Sequence, residues 1–179
     1  MFNSTFAQIS FGRRAIESFN VNKTTAIGTT KKVPVTVYKL DAKDLKDTFC
    51  FEKTKDICVG NYFREHAKAD DKHKSYIIEK DKNGKLLGAA ECTKDRGNIY
   101  LTMIGTSKNP KYKGLGRALL AGIAKDTKGE FPEIRLHSIV EGTSRFYQKC
   151  HFDYYKSDGC YCLDDINFDK LISDAKKNG

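Results

Sequence analysis

No apolar run in this 179-residue chain approaches the length of a membrane span, and no secretory h-region stands at its start. The sequence is therefore read without a membrane partner. Paired Cys-x-x-Cys sets are missing from the six cysteines, and the four histidines fall at no metal-ligand spacing, so no metal is expected. Four of the cysteines lie within or beside apolar runs, where a reduced thiol serves as a small hydrophobe, and this points to a reducing, cytoplasmic setting. Cys160 and Cys162 stand too close to read as a structural disulfide, because an extended backbone holds alternate residues apart along one face. His66 and His73 read as surface residues of a polar segment. Internal repeats and low-complexity linkers are also missing, and the length with 39% hydrophobic content suits one domain with a real core.

What the chain has in excess is positive charge, a formal +9 from 32 Lys+Arg against 23 Asp+Glu, which argues for an anionic ligand, partner or substrate. Nucleic acid is one such partner. The positives are mixed with acids along the chain, however, and neither an RNP-like aromatic motif nor a helix-turn-helix pattern accompanies them. Residues 1–32 are rich in Ser, Thr and Asn with one acidic residue, Glu17, and form an N-terminal extension. It reads as an organelle-targeting or secreted-effector segment, or as an arm or helix packing Phe6, Ile9, Ile16 and Phe19 on a single domain at 33–179.

Val33 to Leu40 alternates as a first strand, at or near a sheet edge because Pro34 stands near its start. Asp41 can cap a helical region that breaks near Gly60 and ends about Ala69. Tyr76 to Lys80 and Leu86 to Thr93 flank Asn83-Gly84, a hairpin signal, and Asp95-Arg96-Gly97-Asn98 turns the chain into a strand at 98–106. Further on come a helix to about Lys125, a strand from Glu133 to Ile139, and a short helix from Ser144 to Cys150. Strands at 152–156 and 160–163 and a terminal helix at 164–177, burying Ile166, Leu171 and Ile172, complete the order. The strand–helix–strand passage from 99 to 139 predicts a parallel pair.

The richest segment joins the strand at 98–106 to the following helix: Lys111-Tyr112-Lys113-Gly114-Leu115-Gly116-Arg117. The first N–H groups of a helix lack internal partners and its dipole is positive there, so an anion is stabilised at that point. Gly114 and Gly116 let the backbone come close, and Lys111, Lys113 and Arg117 add charge. A Walker A loop needs Gly-Lys-Ser/Thr, and the dinucleotide fingerprint needs a third small residue where Leu119 stands, so neither fits.

The segment resembles motif A of the GCN5-related N-acetyltransferase (GNAT) family, with Lys111 in place of the usual Gln or Arg. Arg145-Phe146-Tyr147-Gln148-Lys149-Cys150-His151-Phe152 is similar to that family's Phe-Tyr-x-Lys-x-Gly-Phe signature, with His151 where a left-handed Gly is usual. The resemblance spans about residues 33–163 and implies a mixed α/β fold: a twisted, mostly antiparallel sheet with a central parallel strand pair, flanked by helices.

It also implies acetyl-CoA as acetyl donor and an amine-bearing acceptor of a protein, peptide or small molecule, attacked directly in a ternary complex. The pyrophosphate falls to residues 111–117, including Tyr112 and Leu115, and the pantetheine to backbone groups of Met103, Ile104 and Thr106, with Gly105 as a bulge that splays the strand. An N–H near Ile104 is the implied oxyanion donor, Tyr147 the implied general acid, and Ser144 a further cofactor contact. The plain alternatives are a core aromatic for Tyr147 and a helix-cap neighbour for Ser144. Glu91 is the first candidate base, with Glu141 and His137 as alternatives, and no motif selects among them. An acyl-CoA-binding sensor and a nucleic-acid binder are the competing functions, and a homodimer is compatible with either enzyme or sensor. The acceptor surface is expected about residues 45–74 and 155–163.

Overall fold

The computed structural model describes residues 13–80, 84–138 and 142–177. Strands β1 (Arg13–Thr24) and β2 (Thr30–Leu40) form an antiparallel hairpin, with Phe19 and Val21 of β1 buried. Residues 13–24 thus lie in the sheet rather than in an arm or helix ahead of it, while Phe6 and Ile9 fall outside the described residues. Strand β2, read as an edge or near-edge strand, has β1 as its outer neighbour, and Pro34 stands opposite Asn20.

Three short helices follow instead of two: α1 (Leu45–Thr48), α2 (Phe51–Thr54) and α3 (Gly60–His66). Asp41 acts ahead of them, its Oδ1 accepting the N–H groups of Lys43 and Asp44 at 2.9 and 3.2 Å. The meander β3 (His73–Lys80), β4 (Lys85–Asp95) and β5 (Asn98–Thr106) comes next. Its second turn is a two-residue loop with Arg96 and Gly97 at φ +47° and +82°, the twist that suits right-handed strands. A two-residue strand, β6 (Tyr112–Lys113), pairs back to β1 ahead of helix α4 (Leu115–Thr127).

Strand β7 (Glu133–Leu136) runs parallel to β5, as the crossover predicts, and is shorter than expected. Helix α5 (Ser144–Gln148), strands β8 (Asp153–Tyr155) and β9 (Cys160–Asp164) and helix α6 (Asp165–Lys177) complete a sheet of order β6-β1-β2-β3-β4-β5-β7-β9-β8. The architecture is the mixed one expected, mostly antiparallel with one parallel pair.

Because successive strand residues point to opposite faces, the sheet carries two cores. Val35, Val37, Tyr76, Ile78 and Ile99 pack with Leu119 and Ile123 of α4 and with Phe168 and Leu171 of α6. Ile77, Leu86 and Ala89 pack on the other face with Phe49, Ile57 and Phe63 of the short-helix segment. Ile166 is 78% exposed, contrary to expectation, because α6 turns Phe168, Leu171, Ile172 and Ala175 inward.

All six cysteines are free, and Cys92, Cys150, Cys160 and Cys162 are buried. The Cys160 and Cys162 sulfurs lie 3.4 Å apart on one face of β9, within thiol hydrogen-bond distance and not joined as a disulfide. His151 itself takes the left-handed conformation at φ +66°, and its Nε2 meets Asp174 Oδ2 at 2.9 Å.

Candidate active site

Among the described residues, strands β5 and β7 pair at two positions, Ile99 with Ile134 and Tyr100 with Arg135, after which β5 continues to Thr106 beside β4 without β7. An opening in the sheet results. The register of β4 and β5 shifts between Glu91 and Cys92, which face Met103 and Leu101, so the additional residue is Thr102. The bulge is therefore not at Gly105. Gly105 is required for a different reason: a Cβ there would meet the Cys58 carbonyl oxygen at 2.1 Å.

Backbone groups of a strand alternate between its two edges. Cys58 N–H donates to the Thr106 carbonyl at 2.9 Å, and Ser107 N–H on the other side to Leu87 at 2.7 Å. Ile104, two residues before Thr106, consequently turns its N–H and C=O to the opening. Met103 and Gly105, opposite Glu91 and Ala89, turn theirs to β4. Of the three residues expected to meet a pantetheine arm by backbone, Ile104 and Thr106 face that side, and because the Thr106 carbonyl already has a partner, Ile104 is the one whose carbonyl is left to the opening.

The glycine turn is held from several sides. Lys23 and Asn22 pair with Tyr112 and Lys113, Thr24 N–H donates to the Lys111 carbonyl at 2.9 Å, and Lys111 N–H to Asn109 Oδ1 at 3.0 Å. Gly114 caps α4 in a left-handed conformation, φ +93°, and Ala118 N–H bonds back to its carbonyl at 3.0 Å. The N–H groups of residues 114–117 consequently have no carbonyl of their own helix to meet. Leu115 is buried in the core and offers only backbone. Gly116 abuts α5, with Phe146 Cζ 3.0 Å from where its Cβ would lie.

Lys111 and Lys113 are exposed at the turn. Arg117 instead reaches the end of α5, donating to the Lys149 carbonyl at 3.5 Å. Beside the turn lies a hollow of about 340 Å³ lined in part by Lys23, Lys31 and Lys111. The β1–β2 lysines there had no local sequence pattern to mark them.

Tyr147 is 8% exposed, its ring centroid 5.1, 5.7 and 5.6 Å from those of Phe146, Phe152 and Tyr161. Burial pushes its phenol above the usual tyrosine range, with Cys150 and Tyr161 adding to the effect. Ser144 is the exposed first residue of α5.

The candidate bases separate clearly. Glu141 lies outside the described residues. His137 is engaged at both nitrogens, Nδ1 3.1 Å from the Gly159 carbonyl and Nε2 2.7 Å from Tyr100 Oη. A carbonyl only accepts, so Nδ1 carries the proton and Nε2 takes the Tyr100 hydroxyl bond. Glu91, on β4, is 3% exposed, and its Oε2 has no hydrogen-bond partner among the described residues. Burial raises its carboxyl above the ordinary range, opposed by His73, a bond from Tyr62, Lys68 and His66.

Glu91 lines a cavity of about 220 Å³ with Tyr62 and His66 of α3, Lys68, His73, Thr93 and Thr102. His66 and His73, read as plain surface residues, thus border the buried carboxylate. Sequence spacing held no sign of this, because β3–β4 pairing and α3 packing bring the group together. Among the described residues no cluster of three or more His, Cys, Asp and Glu could hold a metal, and no helix is long and apolar enough to cross a membrane.

A sheet opened beside its central strand, with a left-handed glycine capping the next helix, defines an acyltransferase-type scaffold. The sequence profile of the acetyltransferase (GNAT) family matches residues 39–152, and the chain belongs to that family. No functionally curated protein matches it in sequence. Among solved structures, it is similar to the ribosomal-protein-S18-alanine N-acetyltransferase of Escherichia coli, with 17% identity, TM-score 0.54, and 73% of this chain and 93% of that one covered. The PaiA N-acetyltransferase of Thermoplasma acidophilum, solved with coenzyme A, gives 16%, 0.51, 72% and 96%. FdhC, a nucleotide-linked sugar GNAT, gives 11%, 0.57, 90% and 99%.

Proposed function

We propose that the protein transfers the acetyl group of acetyl-CoA to a primary amine by direct attack in a ternary complex. The observation that carries this reading is the opening between β5 and β7, in a sheet that has Tyr147 on its α4 face and Glu91 on its α3 face. The first turn of α4 reaches that opening through α5. Gly116 abuts Phe146, and the ring of the neighbouring Tyr147 packs at a tilt against Tyr161 of β9, the strand paired with β7.

The residues fit acetyl-CoA. Free N–H groups at 114–117, with Lys111 and Lys113 beside them, suit its pyrophosphate, and the outward C=O of Ile104 suits an amide of its pantetheine. When bound, acetyl-CoA supplies an activated thioester. Ile104 N–H can donate to the thioester oxygen as negative charge builds on it. Neutralising a lysine-like amine at pH 7 costs about 4–5 kcal/mol, and Glu91 takes that proton, its burial making it a stronger base than a surface carboxylate. Tyr147 gives its phenol proton to the leaving sulfur.

Thiol release and mass detection of products, with acetyl-CoA and a broad amine panel, test the reading. An N-acetylated amine is expected. Gly114→Val, which forces a β-branched residue to φ +93°, should abolish acetyl-CoA binding. Intact binding in that variant removes the cradle from the argument. Tight binding with no acetylated amine makes the protein an acyl-CoA sensor.

A further inference from the structure

The Glu91 cavity has charge of both signs, arranged in a particular way. Its floor holds one carboxylate, 3% exposed, with Oε2 unpartnered among the described residues. Leaving a buried carboxylate oxygen unsatisfied is costly, and a donor entering the cavity, best of all a cationic one, relieves that cost. The rim is basic, formed by Lys68, His66 and His73.

That rim is built rather than incidental. Ser75, paired with Glu91 across β3 and β4, donates from Oγ to the Lys68 carbonyl at 2.6 Å and fixes the backbone that carries the lysine. Asp70 Oδ1 accepts the N–H groups of Lys72 and His73, both at 2.8 Å, and holds His73 Nδ1 at the same distance. Lys68 forms no ion pair of its own with the described residues. Thr93 and Thr102, their hydroxyls 3.0 Å apart, add neutral hydrogen-bonding groups to the lining.

We infer that the acceptor seated here is a small zwitterion, an amino acid whose ammonium meets Glu91 and whose carboxylate meets Lys68. The binding claim stands on the cavity alone, and acetylation of that amine rests on the proposed function. A diamine or a lysine-rich segment would satisfy Glu91 with one end and set its second positive charge against Lys68. An amine with a neutral tail would make no use of the charge on Lys68. A carboxylate a few carbons from the amine satisfies both, and a cavity of about 220 Å³ has room for such a molecule.

Calorimetric titration of the full chain at pH 7 with 5-aminopentanoate, 1,5-diaminopentane and pentylamine tests this. The amino acid is expected to bind about tenfold more tightly than either other probe, the effect of one charged hydrogen bond. Lys68→Met, an exposed position, should bring its affinity down to that of pentylamine, and Glu91→Gln should weaken all three. Equal or tighter binding of the diamine or pentylamine overturns the inference, as does failure of all three to bind or a preference that survives Lys68→Met. The same probes with acetyl-CoA and mass detection separate the two claims. Preferential binding without acetylated product keeps the zwitterion site and removes acetyl transfer.

Discussion

Gly105 lies directly beneath Cys58: its Cβ position is 2.1 Å from the Cys58 carbonyl oxygen, and Cys58 N–H bonds to the adjacent Thr106 at 2.9 Å. The two contacts clamp the connection between α2 and α3 onto the free edge of β5. They also fix the start of α3, which brings Tyr62 and His66 to the Glu91 cavity.

A methyl group at position 105 must therefore push that connection away, since the Val59 side chain beside it can turn but the backbone carbonyl of Cys58 cannot. Gly105→Ala is expected to cost about 3 kcal/mol, at the upper end of the range for overpacking, read from urea unfolding. An unchanged midpoint would mean that the clamp is not formed in solution.

Asp126 organises the opposite side of the sheet. Its side chain is 2% exposed, accepts Tyr76 Oη–H at 2.8 Å, and pairs with Lys39 at 3.3 Å and with Arg14. Asp126→Ala strands the buried Tyr76 hydroxyl and removes the link from β1, β2 and β3 to α4. The expected loss is about 3 kcal/mol, against about 1 kcal/mol for Tyr76→Phe, which removes one hydrogen bond cleanly. Coupling between the two substitutions in a double-mutant cycle checks the bond itself.

These two contacts mark where the sequence could and could not be read. The turn at 111–117 was legible because its chemistry is local: glycines, lysines and a change of apolar period from 2 to 3.6 stand side by side. The left-handed demand at His151 was legible for the same reason, as was the hairpin at 95–98. Strand β1 was not, because its register slips between Ala15 and Glu17, which puts Ile16 out of phase with Phe19 and Val21 and hides the alternation. The Glu91 cavity was half legible. Glu91 was marked, but its neighbours at 62, 66, 68 and 73 meet it only through sheet pairing and helix packing, which no local pattern encodes.

The buried carboxyl of Glu91 makes a pH-dependent prediction. Burial raises it above the ordinary value of 4.5, so the folded chain holds that proton more tightly than the unfolded one. The cost of ionising it is absent below the ordinary value and develops as pH rises through the folded one. Glu91→Gln removes the cost. Its stability relative to the parent should improve from pH 4 to pH 8 in urea unfolding, while acetyl transfer falls by about 10²-fold or more. A stability difference flat across that range would show that Glu91 is solvated.

Tyr147 presents the sharpest choice between structure and chemistry, because its ring is packed by Phe146, Phe152 and Tyr161 while its hydroxyl has a proposed task. Phenylalanine keeps the ring and deletes the hydroxyl. If Tyr147 protonates the leaving sulfur, Tyr147→Phe lowers kcat about 10²-fold and leaves acetyl-CoA affinity within a factor of about two. Stability should change by less than about 1 kcal/mol, whereas Tyr147→Ala, which empties the aromatic cluster, should cost about 3–5 kcal/mol. A Tyr147→Phe variant with unchanged kcat assigns the residue to packing alone, and the proton for the thiolate must then come from water reaching the opening between β5 and β7.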